Sequence, residues 1–206
     1  QDITGNLLRS SDVLPSEEDV RAALSHFTGE IEQIPPMYSA IKINGQKLYD
    51  IARRGGEVER AARRITIHSI DYLGQENGDH VLRIRCSKGT YIRTLCHDLG
   101  EYLGCGGCMA ALRRTSSGSF SVENARRIGE LTRADRDTLL PVDTLFSAAA
   151  SLTLTAAQEK RCRCGNPFRT DAPDGETRFY SENGEFLAIG RVTDGEAVTV
   201  KSFFEV

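Results

Sequence analysis

Chemically able side chains gather in the stretch Cys86–Gly100, which reads Cys-Ser-Lys-Gly-Thr-Tyr-Ile-Arg-Thr-Leu-Cys-His-Asp-Leu-Gly. Arg93 carries a planar fork of donors that suits a carboxylate or a phosphate. Tyr91, two residues earlier, offers a ring face on which a base can stack. Upstream, Leu82, Ile84 and Cys86 alternate with Arg83, Arg85 and Ser87, the period of a half-buried strand. Downstream, Ile92, Leu95, Cys96, Leu99 and Leu103 recur at helical spacing. Gly89 marks a tight turn between the two. Tyr91 and Arg93 therefore sit where a sheet edge hands over to a helix N-terminus. An ordinary strand–helix junction, with a surface Arg and a half-buried Tyr, would show the same pattern.

A second constellation spans residues 31–64. Pro35-Pro36 forces extended backbone. Met37, Tyr38, Ile41 and Ile43 interleave with Ser39, Lys42 and Asn44, and Gly45 turns the chain. Leu48, Tyr49, Ile51 and Ala52 follow with Lys47, Arg53 and Arg54, then Gly55-Gly56. Rings alternating with cations on a turn-rich segment suit an arm that grips RNA, since cations meet phosphates and rings meet bases. A surface subdomain whose tyrosines pack beneath it is the alternative. In Leu112-Arg113-Arg114-Thr115, the two arginines could reach phosphate or could neutralise a helix C-terminus. Cys105-Gly-Gly-Cys108 and Cys162-Arg-Cys164 together offer four thiolates. The second pair has one intervening residue where structural zinc sites have two to four, so no metal is expected. Gly106-Gly107 reads instead as a turn into a helix Met109–Leu112.

The elements that position these residues are legible in outline. Ser16 and Asp19 form a capping-box-like start to a helix whose apolar stripe is Val20, Ala23, Leu24 and Phe27, with Gly29 as its stop. Residues 65–70 and 81–86 read as strands joined at Asn77-Gly78-Asp79, a strong hairpin signal. Leu112–Phe120 looks like a helix end passing into a strand. Short helices are expected at Val122–Leu131 and Ala134–Leu140, and Ser147–Ser151 is a small-residue linker. A helix at Thr155–Cys164 and strands at Thr177–Tyr180, Phe186–Ile189 and Ala197–Phe204 make a small β domain.

The totals set the class. At 206 residues, with 27% charged and 39% hydrophobic side chains, the chain is globular. No apolar run is long enough to span a bilayer and no secretory pattern is seen, so a cytoplasmic protein with six reduced cysteines is expected. The net charge of −3 does not advertise a nucleic-acid binder. Its distribution says more: residues 1–35 hold seven acids against two Arg, whereas residues 42–93 hold eleven Lys and Arg against six acids. Such a basic segment is compatible with a phosphate-binding face.

Three segments, in order, resemble the TruB-type tRNA pseudouridine synthases. Cys86–Leu95 with Asp98-Leu99-Gly100 resembles that family's third motif. Ile34–Lys42, continued by Gly45, Leu48-Tyr49 and Ala52-Arg53, resembles its RNA-gripping thumb. Leu112–Thr115 with Gly118 and Phe120 resembles the segment after the motif helix. Gly184–Gly190 is similar to late strands of a PUA domain. The resemblance implies an α+β fold: the C-terminal part of a pseudouridine synthase domain with a mixed or antiparallel sheet and flanking helices, plus a small β-rich PUA-like domain. It implies residues 1–147 as a partial catalytic domain with a thumb at 31–64, and residues 152–206 as the PUA-like domain.

The implied activity is isomerisation of uridine 55 in the tRNA T-arm, by a monomeric enzyme without cofactor, metal or membrane. Arg93 would pair with a catalytic Asp, Tyr91 would line the base pocket, and Leu112 would pack on the base. Tyr38, Lys42, Lys47, Arg53, Arg54, Lys88, Arg113 and Arg114 would contact RNA. The family's Asp-before-Pro motif has no match here; the nearest, Pro173-Asp174, has the reverse order. The chain thus reads as a fragment, inactive alone, with Arg93 unpaired or occupied by solvent or an anion. A stand-alone RNA-binding module and a zinc-stapled structural protein are the other readings.

Overall fold

The computed structural model describes residues 1–132 and 139–204. The chain divides into two compact units, Gln1–Arg113 and Arg114–Val206.

In the first unit, helix α1 (Glu17–Leu24) starts at Ser16, whose hydroxyl accepts the Asp19 N–H while the Asp19 carboxylate accepts the Ser16 N–H, closing the capping box. Strand β1 (Gly29–Gln33) follows a short 3-10 turn, Ser25–Phe27. Two two-residue strands, β2 (Lys42–Ile43) and β3 (Gln46–Lys47), form a hairpin that runs directly into helix α2 (Leu48–Arg53). Asn44 (φ 49°) and Gly45 (φ 80°) make its turn, with the paired positive φ values that favour Asn-Gly there. The long strand β4 (Arg63–Glu76) and strand β5 (Asp79–Cys86) are joined by the same kind of turn at Asn77-Gly78. They form an antiparallel sheet of order β1-β4-β5. Helix α3 (Ile92–Tyr102) follows. Val20, Ala23 and Leu24 of α1, with Phe27, meet Ile65, Ile67 and Tyr72 of β4 and Leu95 and Leu99 of α3 in one core. The alternating and helical stripes read from the sequence converge there, which is where burial of apolar area is most favourable.

After α3 the chain does not form the expected helix Met109–Leu112. Met109 instead makes a parallel bridge to Asp2, with the Ile3 N–H donating to the Met109 carbonyl and the Met109 N–H to the Gln1 carbonyl, both at 3.1 Å. The reason lies in the glycines. A Cβ on Gly100 would lie 2.2 Å from the Gly106 carbonyl carbon, and one on Gly107 would lie 2.4 Å from the Cys96 carbonyl oxygen. Bare backbone at Gly100 and Gly107 lets the returning chain lie flat on α3, and Gly106 between them takes the positive φ of 71° that the return needs. That geometry, not a helix start, explains the Gly-Gly pair.

The second unit begins with the small hairpin β6 (Ser116–Ser117) and β7 (Phe120–Ser121). The expected helix Val122–Leu131 is present only as two 3-10 turns, Val122–Asn124 and Ile128–Glu130. Its side chains there are mostly exposed, so no buried apolar stripe holds a longer helix together. The expected helix at Ala134–Leu140 falls largely on residues 134–138, outside the described residues. The stretch taken for a linker runs into a strand, β8 (Ala150–Thr153). Helix α4 (Ala156–Arg163) has Thr155 and Gln158 as its capping box. Strands β9 (Phe168–Arg169), β10 (Gly175–Tyr180), β11 (Phe186–Thr193) and β12 (Glu196–Ser202) complete a sheet of order β8-β10-β11-β12-β9, antiparallel except for β8 beside β10. Leu154, Cys162, Phe168, Phe179, Leu187 and Val192 are among the residues of its core. The overall class is α+β, as expected.

Candidate functional site

The turn between β5 and α3 is built by Gly89 at φ 86° and closed by the Thr90 hydroxyl, which donates to the Ser87 carbonyl at 2.9 Å. Tyr91 is the N-cap residue of α3 in extended conformation. Its main chain is gripped by Gln33 at the end of β1: the Tyr91 N–H donates to Oε1 at 2.8 Å, and Nε2 donates to the Tyr91 carbonyl at 3.0 Å. Thr94 is buried in the next turn, and its hydroxyl donates to Gln1 Oε1 at 3.3 Å.

Arg93 projects from this first turn of α3. It is not unpaired, contrary to the expectation from sequence: Nη2 donates to the Tyr38 carbonyl at 2.8 Å. The acceptor lies in the bend at residues 37–40, just after Pro35-Pro36, and the bond ties that bend to α3. Asp2 also lies within reach of the guanidinium's field. Its carboxyl is held below the usual range, chiefly by the Thr4 hydroxyl and N–H and to a lesser degree by the charge of Arg93. Asp2 is an acid near the candidate site that the sequence did not single out. Asp-Ile-Thr-Gly signals only a turn, and the bridge to Met109 that places it is not local.

The bend at 37–40 is tied to α2 as well as to α3. The Ser39 N–H donates to the Met37 carbonyl at 2.9 Å, and the Tyr49 N–H donates to the Ser39 carbonyl at 3.1 Å. Lys47 and Arg53 sit over the Tyr49 ring at 5.3 and 5.2 Å from its centroid, and the Lys47 ammonium donates to the Tyr49 hydroxyl at 3.0 Å. That hydroxyl and its charge raise the Lys47 pKa, so the side chain stays cationic throughout the physiological range. Arg54 turns back on its own segment, donating to the Asp50 carbonyl at 3.1 Å and to Gln46 at 3.3 Å.

The structure thus brings together Arg93, Tyr91 and Tyr38 at one edge, and Lys47, Arg53 and Tyr49 on the neighbouring hairpin. Lys42 lies exposed on the same hairpin. Lys88, Leu112, Arg113 and Arg114 are exposed, and among the described residues no hydrogen bond or ring contact joins Lys88, Leu112 or Arg113 to Arg93. Gln33, like Asp2, was invisible as a functional residue; a lone Gln before Pro-Pro carries no distinctive spacing. Cys105 is occupied near the Gly100 carbonyl, its Sγ donating at 3.6 Å. Among the described residues, no three of His, Cys, Asp or Glu converge as a metal site would require. No helix among them is long and apolar enough to cross a membrane.

Against this geometry, the profile of the TruB family pseudouridylate synthase (N terminal domain) matches residues 1–92, and that of the tRNA pseudouridylate synthase B C-terminal domain matches residues 93–147. The chain is 46% identical over 168 residues to a protein named tRNA pseudouridine synthase B from Alkaliphilus oremlandii, covering 81% of this chain and 56% of that one. It is 42% identical over 203 residues to the protein of the same name from Pseudomonas aeruginosa, covering 94% and 67%. For the Cereibacter sphaeroides protein of that name the identity is 38% over 204 residues, covering 95% and 68%. The chain therefore spans between 56% and 68% of the length of these relatives. Among solved structures, a Cbf5-Nop10-Gar1 complex superposes with TM-score 0.64 at 21% identity, covering 95% of this chain and 63% of the other. An H/ACA RNP bound to a substrate RNA containing 2'-deoxyuridine gives 0.64 at 20%, covering 93% and 62%. At these identities the two structures speak for the fold.

Proposed function

From the premise that the chain belongs to the TruB family of pseudouridylate synthases, we propose that it serves the isomerisation of uridine to pseudouridine in the T-arm of tRNA, at position 55. The observation that carries this is the placement of Arg93 at the first turn of α3, two residues from Tyr91 and bonded to the thumb segment through the Tyr38 carbonyl.

The reaction breaks the bond from ribose to the uracil nitrogen, turns the base, and rejoins it through a ring carbon. The proton lost from that carbon is balanced by one gained at the freed nitrogen. A base must leave the RNA stack to undergo this. A carboxylate must attack the sugar or base, or take a proton from the sugar. The guanidinium of Arg93 exchanges its neutral carbonyl partner for that carboxylate and holds it ionised and oriented by a bidentate bond. Tyr91 lines the base pocket and Leu112 packs on the base. Tyr38, Lys42, Lys47, Arg53, Arg54, Lys88, Arg113 and Arg114 meet the RNA backbone and its splayed bases. Residues 1–147 act as part of a catalytic domain with a thumb at 31–64, and residues 152–206 act as a PUA-like RNA-binding domain. The carboxylate is assigned to an Asp-before-Pro motif that these 206 residues do not contain, so the chain alone binds RNA without turnover, with the Arg93 fork meeting an RNA phosphate in place of that acid.

Incubation with a T-arm stem-loop, followed by nucleoside mass spectrometry and a binding titration, tests this. RNA binding that weakens on R93A, without pseudouridine formation, is the expected result. Turnover by the chain alone would overturn the assignment of the acid. Binding indifferent to R93A would leave a general RNA-binding module in place of an active-site edge.

A further inference from the structure

Gln33 is 3% exposed, yet nothing about strand β1 requires a polar side chain at its end. Burying a primary amide costs free energy unless both of its ends are bonded. Here both are, and both to one residue: Oε1 takes the Tyr91 N–H and Nε2 meets the Tyr91 carbonyl. The amide therefore does for Tyr91 what one rung of an antiparallel ladder does for a strand residue, although β5 has already ended at Cys86. The Tyr91 carbonyl also accepts the N–H groups of Thr94 and Leu95, both at 3.1 Å, which begin α3. No side chain caps this helix. The direction in which α3 starts, and with it the direction of Arg93, is thus set from β1 by a neutral amide bonded to the Tyr91 main chain.

We propose that Gln33 is a positioning residue for Tyr91 and Arg93, fixing the geometry with which this edge meets RNA. The inference rests on the reading of Arg93 given above. A nonpolar residue of similar size at position 33 keeps the packing between β1 and α3 but leaves the Tyr91 N–H without its partner, a loss the junction relieves by shifting.

A double-mutant cycle on the 206-residue chain with a T-arm stem-loop tests it. R93A in the native background is expected to weaken binding by roughly tenfold, the scale of a lost charge-assisted hydrogen bond. Q33L is expected to weaken it similarly, and R93A added to Q33L to cost less than about twofold, the mark of coupled sites. K47A should keep its native effect in both backgrounds. If R93A costs the same factor with and without Gln33, the positioning role is overturned and Gln33 is a structural tie. If R93A has no effect in the native chain, the reading of Arg93 itself fails, and this inference with it.

Should Q33L fail to fold, Q33E supplies the second arm. A protonated carboxyl has one O–H donor and one acceptor and reproduces the amide's two bonds, whereas the ionised form only accepts. Burial at position 33 raises the carboxyl from its ordinary value of about 4.3, so the R93A factor is expected closer to its native size in the Q33E background at pH 5 than at pH 8. A factor that does not change with pH in that background overturns the proposal.

Discussion

The strand–helix junction and the β2–β3 hairpin are both tied to the bend at residues 37–40, yet they are held by opposite means. At the junction, main-chain groups of Tyr91 are bonded to a buried amide, Thr94 is buried, and Leu95 and Leu99 reach into the core that α1 and β4 build. On the hairpin, two two-residue strands carry a six-residue helix with one fully buried side chain, Leu48, and its cations rest over the half-buried ring of Tyr49. A group that must hold a carboxylate in one geometry belongs on a stiff element. A grip that must follow an irregular RNA backbone belongs on one that opens cheaply. On the function proposed above, the contrast suits Arg93 to orientation and Lys42, Lys47 and Arg53 to adaptation.

The sharpest way to break that contrast is to remove one leucine from each region. Leu95 is 2% exposed within the core of the first unit, so L95A is expected to destabilise that unit by about 2–5 kcal/mol, with melting and amide exchange changing across β1, β4 and α3 together. Leu48 is fully buried but outside that core. L48A should leave the main transition near its native position while freeing the amides of Leu48 and Tyr49, which now donate to Ile41 and Ser39. Equal losses of cooperative stability in the two variants would show that the hairpin belongs to the core, and the division of labour would fail.

A smaller effect is expected from the hairpin cations. K47A and R53A should each weaken T-arm binding several-fold, and each should reduce the dependence of log affinity on log salt by about 1. Each should lower the melting temperature only slightly, because a cation over a half-buried ring contributes only about 0.5–1 kcal/mol. A salt slope unchanged by both substitutions would move the RNA contact off the hairpin.

What the sequence disclosed and what it hid follow the same line. The capping box at Ser16, the Asn-Gly turns and the alternation through β5 are written in neighbouring residues, so they were legible. Arg93 and Tyr91 stood out because a strand period changes to a helix period beside them. Gln33, Asp2 and the Tyr38 carbonyl act across tens of residues, and no local pattern announces such a contact. The helix expected at Met109–Leu112 failed for a related reason: Gly106 and Gly107 serve a close approach to α3, which looks identical to a turn when only the sequence is read. From the sequence Arg93 reads as unpaired or held by solvent or an anion, because its expected carboxylate partner is missing from the chain; a backbone carbonyl 55 residues away fills the place.

The mildest test concerns Cys96, one turn beyond Arg93 on the stiff side of the comparison. Burial pushes its thiol up to about 11 from the ordinary 9.0, with Cys108 as a lesser cause. Below about pH 9 the folded and unfolded states both keep this proton, so the group leaves stability unchanged. Between about 9 and 11 the unfolded chain releases it first, the folded state binds more protons, and stability therefore falls as pH rises through that window and levels above it. Melting curves collected from pH 8 to 11 should slope downward in the native chain and less steeply in C96A. At pH 8 the exposed Cys108 and Cys164 should be alkylated well before Cys96. If Cys96 reacts as fast as they do, α3 is opening at that turn on its own, and the junction is no stiffer than the β2–β3 hairpin.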